Sequence, residues 1–204
     1  MVDEPLINIL AAMHISPSVK SVSLRTPATK FHFFKDKVKL FYDFDNDSII
    51  IEKNKNNEIM GFLIYTYNEQ AFNKFAGYSN FRFYIRLFKT LFGYYGVDFK
   101  KFFLAAQSMI GKNYISNHTN NKSFGKIWVL LVMEEFRREG VADSLLKKCI
   151  QAMENRKEKI LQVTVRKDNN PAIKAYQKNG FVIVGSCKES SGDSYIMELI
   201  VMND

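Results

Sequence analysis

Two short segments carry residues whose types and spacing could do chemistry. The first is Arg137-Arg138-Glu139-Gly140-Val141-Ala142, set between an apolar run and an amphipathic stretch. The opening turn of a helix holds about four unsatisfied N–H groups and roughly half a positive charge. A diphosphate can accept those N–H bonds where the backbone lets it come close. Gly140 has no Cβ, Ala142 is the next smallest choice, and Arg137 and Arg138 add fixed positive charge. The second segment is Asn169-Asn170-Pro171-Ala172-Ile173-Lys174-Ala175-Tyr176-Gln177-Lys178-Asn179-Gly180-Phe181. Asn170 suits the N-cap, Pro171 the first helical position, and Gly180 the left-handed residue past the end, with Phe181 packing back. Tyr176 lies one turn past Ala172 on the same face, which points it to the sheet end near Asn169. Taken singly, either segment also fits an ordinary helix start or a well-capped helix.

The elements around them must do the positioning. Residues 126–133 are almost wholly apolar, as expected of a strand buried on both faces. Val141, Leu145, Leu146, Cys149, Ile150 and Met153 then make one helical stripe. Residues 159–165 alternate as a strand. Strand, helix and strand form a crossover unit, so the two strands should be parallel neighbours. Residues 181–187 and 195–201 are closing strands joined by a turn at 190–193. Upstream, 6–13 reads as a short helix and 16–30 mostly as loop, with a strand at 21–24. A hairpin is expected from 38–44 and 48–53 across an Asp45-Asn46-Asp47 turn, then a second turn at 55–57 and a strong strand over 58–67. Helical spacing marks Phe72 to Ala76, Phe83 to Leu91 and Phe99 to Ile110, before a polar loop at 111–125.

The two chemistry-bearing segments together resemble the coenzyme-A-binding core of the GNAT superfamily of N-acyltransferases. The family's Arg/Gln-x-x-Gly-x-Gly/Ala turn is matched by Arg137 to Ala142. Its Asn-x-x-Ala-x-x-x-Tyr-x-x-x-Gly-Phe pattern is matched at Asn169, Ala172, Tyr176, Gly180 and Phe181. The lead-in Val132-Met133-Glu134-Glu135-Phe136 resembles the family's Val-x-Pro-Glu-Tyr, with Glu134 in place of Pro. The resemblance implies an α/β (α+β) fold. Its central mixed sheet would be mostly antiparallel, with one splayed parallel pair, flanking helices and a helical insertion. It implies a single domain over 1–204, with the insertion at about 69–112 and the coenzyme-A-binding core at about 124–187.

The resemblance also assigns roles. The backbone near Val132 would pair with the pantetheine arm and acyl carbonyl of acetyl-CoA. Arg137, Arg138, Glu139, Gly140, Val141 and Ala142 would hold the pyrophosphate. Asn169 would touch the pantetheine where the strands part. Tyr176 would lie near the sulfur and donate a proton to the leaving thiolate of coenzyme A. The reaction implied is direct attack of a primary amine, on a small molecule or a peptide, with no metal. A free lysine amine has a pKa of about 10.4, so only about one in a thousand is neutral at pH 7. A base or desolvating pocket is therefore needed. Glu134, Glu135 and His118 are candidates, although each also fits an ordinary surface role. The family commonly places two helices between its first two strands; here that region reads as short and poorly helical.

Composition narrows the alternatives. Of 204 residues, 47% are apolar and 28 are Phe or Tyr (18 and 10), which excludes a solvated coil. The net charge of +8 suits an anionic partner as well as a generally basic surface. No helix-turn-helix, zinc or RNA-recognition motif supports nucleic-acid binding. Cys149 and Cys187 form no CxxC pair and read as buried thiols in a reducing cytoplasm, and Met1-Val2-Asp3-Glu4-Pro5 lacks the basic head expected of a signal peptide. Arg82, Arg86 and Lys89 line one face of the insertion's middle helix, opposite Phe83, Leu87, Phe88 and Leu91. Such a helix can rest on a membrane, but core packing with a solvated basic face is the commoner arrangement. Exposed Phe there would also suit a homodimer. The competing reading is an inactive module that binds coenzyme A or another anion and docks a partner or membrane through this insertion.

Overall fold

The computed structural model describes residues 4–14, 27–77, 85, 88–89, 123–189 and 192–202. They fall into two compact units, one within 1–40 plus 73–122 and the other within 41–72 plus 123–204. Among the described residues, no helix is long and apolar enough to cross a membrane. The proposed strand at 21–24, the two later insertion helices apart from scattered residues, and His118 lie outside the described residues.

In the first unit, helix α1 (Glu4–His14) buries Ile7, Leu10 and Ala11. Lys35 reaches Glu4 at 3.0 Å and Lys89 reaches Asp36 at 2.6 Å. Helix α2 (Pro27–Phe44) begins in this unit and ends in the other. It overturns the expected hairpin: 38–44 is helical, not a strand. Phe34, Val38 and Phe41 are buried at i, i+4 and i+7, a helical stripe that the β-forming residues of this stretch concealed. The helix stops where Asp45 N–H donates to the Phe41 carbonyl at 3.0 Å, and the Ser48 hydroxyl adds a second 3.0 Å bond to it. The region read as poorly helical thus carries two helices ahead of the first described strand.

The second unit is built on a six-stranded sheet. Its strands are β1 (Ile49–Lys53), β2 (Ile59–Thr66), β3 (Gly125–Val132), β4 (Ile160–Arg166), β5 (Val182–Glu189) and β6 (Gly192–Ile200), in the order β1-β2-β3-β4-β6-β5. All neighbours are antiparallel except β3 and β4. That mixed sheet with one parallel pair is the expected fold class. The first partner of β2 is β1, joined through the predicted turn at 55–57, where Asn57 N–H closes on the Asn54 carbonyl at 3.0 Å. Helix α3 (Glu69–Ala76) follows β2, helix α4 (Val141–Asn155) follows β3, and helix α5 (Asn170–Lys178) follows β4. The α4 stripe foretold by the sequence packs on the sheet: Val141, Leu145, Leu146, Cys149 and Met153 share one core with Leu63, Tyr65, Leu161, Val163, Val165 and Tyr176. On the opposite face, the stacked rings of Phe41 and Phe72 (4.6 Å, 3°) both meet Trp128. Cys149 is buried as expected, whereas Cys187 is only half-buried.

Candidate functional site

The parallel pair parts early. β3 and β4 are in register only at Gly125–Leu161, Lys126–Gln162 and Ile127–Val163. β4 stays bonded to β6 as far as Arg166, and β3 to β2 as far as Val132. The two strands therefore splay with their facing edges unpaired. A bulge sits at the parting point: Ile127 opposes Tyr65 and Val129 opposes Ile64, leaving Trp128 as the extra residue. Such a bulge bends its strand. Beyond it, Leu130 and Val132 pack on the α4 side of the sheet.

Val132 is thus the last residue of β3, paired with Gly61 on β2. Sequence reasoning missed Gly61. A Cβ there would meet the Leu131 carbonyl oxygen at 2.6 Å, Val132 Cα at 3.2 Å and Val141 Cγ1 at 3.2 Å. Only glycine lets β2 lie this close to both the end of β3 and the first residue of α4. A lone glycine inside an apolar strand is the signal that could have found it.

After Val132 the chain makes one 3-10 turn, Glu134–Phe136, and then Arg138 and Gly140 both take positive φ, 69° and 80°. Gly140 is the N-cap of α4 and offers no side-chain cap. A Cβ at Gly140 would meet nothing within 4 Å. Its glycine is demanded by the left-handed backbone, and the space before the helix is open. Arg137, Arg138 and Glu139 are exposed, and Arg137 pairs with Glu134 at 3.9 Å. Asp143, in the first turn, is turned away from the helix mouth. It binds Lys178 and, at 3.2 Å, Asn179, at the far end of α5. The Lys178 contact holds its carboxyl below the usual range.

Helix α5 is capped by Asn169, not by Asn170: the Asn169 side-chain oxygen accepts Ala172 N–H at 3.3 Å. Asn170 instead begins the helix, beside Pro171. Asn169 stays exposed, with its side-chain amide nitrogen unused by the cap. At the other end Gly180 takes the predicted left-handed φ of 88°. Tyr176 is 4% exposed and Phe181 2%. Among the described residues, no side-chain partner takes up the Tyr176 hydroxyl. Burial pushes its pKa well above the usual phenol value, with a smaller contribution from Cys149. Such a phenol holds its proton at neutral pH.

The structure therefore brings Val132, Val141 and Tyr176 to one core beside the splay. Arg137, Arg138 and Glu139 stand at its rim, and Asn169 at the head of α5. Glu134 and Glu135 are exposed on the 3-10 turn.

Known proteins share this fold. Residues 20–181 match the model of the "Acetyltransferase (GNAT) family". A mycothiol acetyltransferase of Corynebacterium aurimucosum is 31% identical over 80 residues, which cover 39% of this chain and 26% of that protein. The chain thus matches about a quarter of that curated relative's length. The crystal structure of Ard1 from Thermoplasma volcanium superposes with a TM-score of 0.59 at 15% identity, covering 98% of this chain and 94% of that one. The NatC complex, solved bound to Gag peptide and CoA, gives 0.58 at 12% identity, covering 96% and 91%. With the family match spanning most of the sequence, and the splayed sheet carrying the motifs that led to it, this chain belongs to the GNAT acetyltransferase family.

Proposed function

We propose that the chain transfers an acetyl group from acetyl-CoA to a primary amine by direct attack. The observation that carries this reading is the conjunction at one end of the sheet. An uncapped helix start, a pair of unpaired strand edges and the buried phenol of Tyr176 meet around one core. In this reading the amides opening α4 donate to the diphosphate, and the exposed Arg137 and Arg138 supply charge around it. The pantetheine lies along the open edge of β3 up to Val132, with Asn169 opposite. A backbone N–H on that edge stabilises the oxygen on which charge builds in the transition state.

The proton inventory fits. The amine must arrive neutral, and its proton leaves as the C–N bond forms. The C–S bond then breaks, and the thiolate takes a proton from Tyr176. The single-domain organisation belongs to this proposal too, since both motifs and the strands that carry them lie within it.

The test is a thiol-release assay with acetyl-CoA against a panel of small amines and peptides, run beside calorimetric titration of coenzyme A. Release that depends on an amine supports the enzyme. Binding without release for every amine supports instead an inactive coenzyme-A-binding module. No binding overturns both.

A further inference from the structure

Thr164 is the first β4 residue beyond the last paired position of β3 and β4, which is Ile127–Val163. Its Oγ1 is buried and, among the described residues, has no hydrogen-bond partner. Orphaned buried hydroxyls are costly and are uncommon in folded proteins. The backbone around Thr164 is just as lopsided. On one side it pairs with Ile196 of β6; on the β3 side it has no strand partner. An unused hydroxyl and an unused strand edge coincide at one residue.

The face on which this hydroxyl lies follows from alternation along the strand. Leu161, Val163 and Val165 are in the core under α4, with Tyr176. Gln162, Thr164 and Arg166 therefore project from the opposite face. Ile196, which opposes Thr164, is likewise buried outside that core, whereas its neighbour Met197 is inside it. Tyr176 and Thr164 thus flank the splay from opposite sides of the sheet. If the thioester lies in the splay, its sulfur leaves on the Tyr176 side, and the nucleophile has the Thr164 side from which to approach.

We infer that Thr164 receives the acceptor: its Oγ1 accepts one N–H of the neutral primary amine and aims the nitrogen lone pair at the acetyl carbon. This inference rests on the acetyltransferase reading above and adds an acceptor-binding residue to it. A hydroxyl of this kind does not ionise near neutrality, so Thr164 orients the amine without removing its proton. As the C–N bond forms, that proton passes to water, and Tyr176 supplies a separate proton to the departing thiolate. The arrangement favours an unhindered amine with a second N–H free over one already doubly substituted.

The test compares Thr164→Val, which keeps the shape and removes the hydroxyl, with Thr164→Ser, which keeps the hydroxyl. With the best amine of the panel, T164V should lose about 2- to 10-fold in kcat/KM, the scale of one neutral hydrogen bond. T164S should restore most of it, and coenzyme A affinity should be unchanged in both. T164V should also unfold at the same or a higher temperature than the parent, because it removes an unsatisfied buried group. A T164V protein as active as the parent overturns the inference while leaving the acetyltransferase reading intact. So does a T164V protein that loses activity only in proportion to lost stability. A parent protein that neither binds coenzyme A nor releases thiol overturns the underlying reading instead.

Discussion

Phe181 holds Tyr176 twice. Its backbone N–H donates to the Tyr176 carbonyl at 3.1 Å, and its ring meets the Tyr176 ring edge-on at 5.3 Å and 63°. With Gly180 N–H on the Gln177 carbonyl at 3.0 Å, these bonds close α5 on a left-handed glycine in the Schellman arrangement. The Gly-Phe pair that ends the motif is therefore the clamp that fixes where the phenol sits.

Because that clamp grips the ring and backbone, Tyr176→Phe should leave packing intact. The hydroxyl it removes has no partner among the described residues, so the urea midpoint should stay level or rise slightly. Turnover should fall by about 10²–10⁴-fold, the usual worth of a positioned acid, with coenzyme A affinity unchanged. Steady-state kinetics beside calorimetry separates the two effects. Full activity in the variant removes Tyr176 from the mechanism.

The two site glycines should respond differently to alanine. At Gly61 the new methyl strikes backbone, the Leu131 carbonyl oxygen at 2.6 Å, so β3 and the start of α4 must shift together. Gly61→Ala should lower both stability and cofactor affinity. At Gly140 the methyl meets only open space, but the φ of 80° strains any L-residue, at about 1–2 kcal/mol. The methyl would also stand where the diphosphate is proposed to lie. Coenzyme A affinity should fall about 10- to 100-fold, the scale of one charged hydrogen bond lost. Thermal unfolding read beside calorimetry tests this; G140A binding coenzyme A as tightly as the parent would remove the helix mouth from the proposal.

These contrasts show what was legible in the sequence. From Gly125 to Ile200 each stretch had one period and clear punctuation, so the strands and helices emerged within three residues, the largest miss being the last strand, which starts at Gly192 inside the expected turn. Residues 38–44 were harder. Their β-branched and aromatic residues alternate well enough for a strand, and the helical spacing shows only once Phe34 is read with Val38 and Phe41. Gly140 was identified as glycine for close approach, whereas the backbone demands it for a left-handed φ. Adjacent asparagines left the cap of α5 one residue out. The splay was expected only through the family resemblance, while the point where it begins, the bulge at Trp128 and the orphaned Thr164 hydroxyl were not readable at all. They are properties of how strands pair, and no single strand's residue pattern records where pairing stops.

Arg137 offers a test of charge without packing. It is half exposed, and its 3.9 Å contact with Glu134 is a long surface pairing that contributes little to stability. Arg137→Gln should leave the melting temperature unchanged. It should weaken coenzyme A binding and flatten the dependence of that binding on salt, because one screened attraction is gone. Titrations at low and high ionic strength give both readings. An unchanged salt slope would mean that the guanidinium does not act on the cofactor.

The core beside the site also sets a limit on alkaline stability. Tyr65 is pushed up to about 12 by burial, and burial likewise raises Cys149 and Tyr176 well above their ordinary values of 9.0 and 10.0. Each of these groups holds its proton more tightly folded than unfolded. The stability this brings is complete below the unfolded values and is lost as pH rises beyond them, by up to about 1.4 kcal/mol per pH unit for each group. Urea midpoints should therefore be level from pH 7 to about 8.5 and fall progressively towards pH 11, with Cys149 contributing first. Cys149→Ala should lower stability at neutral pH through lost packing, yet begin its alkaline decline later than the parent. A decline with the same onset in both proteins would show that the thiol titrates as freely in the folded chain as in the unfolded one.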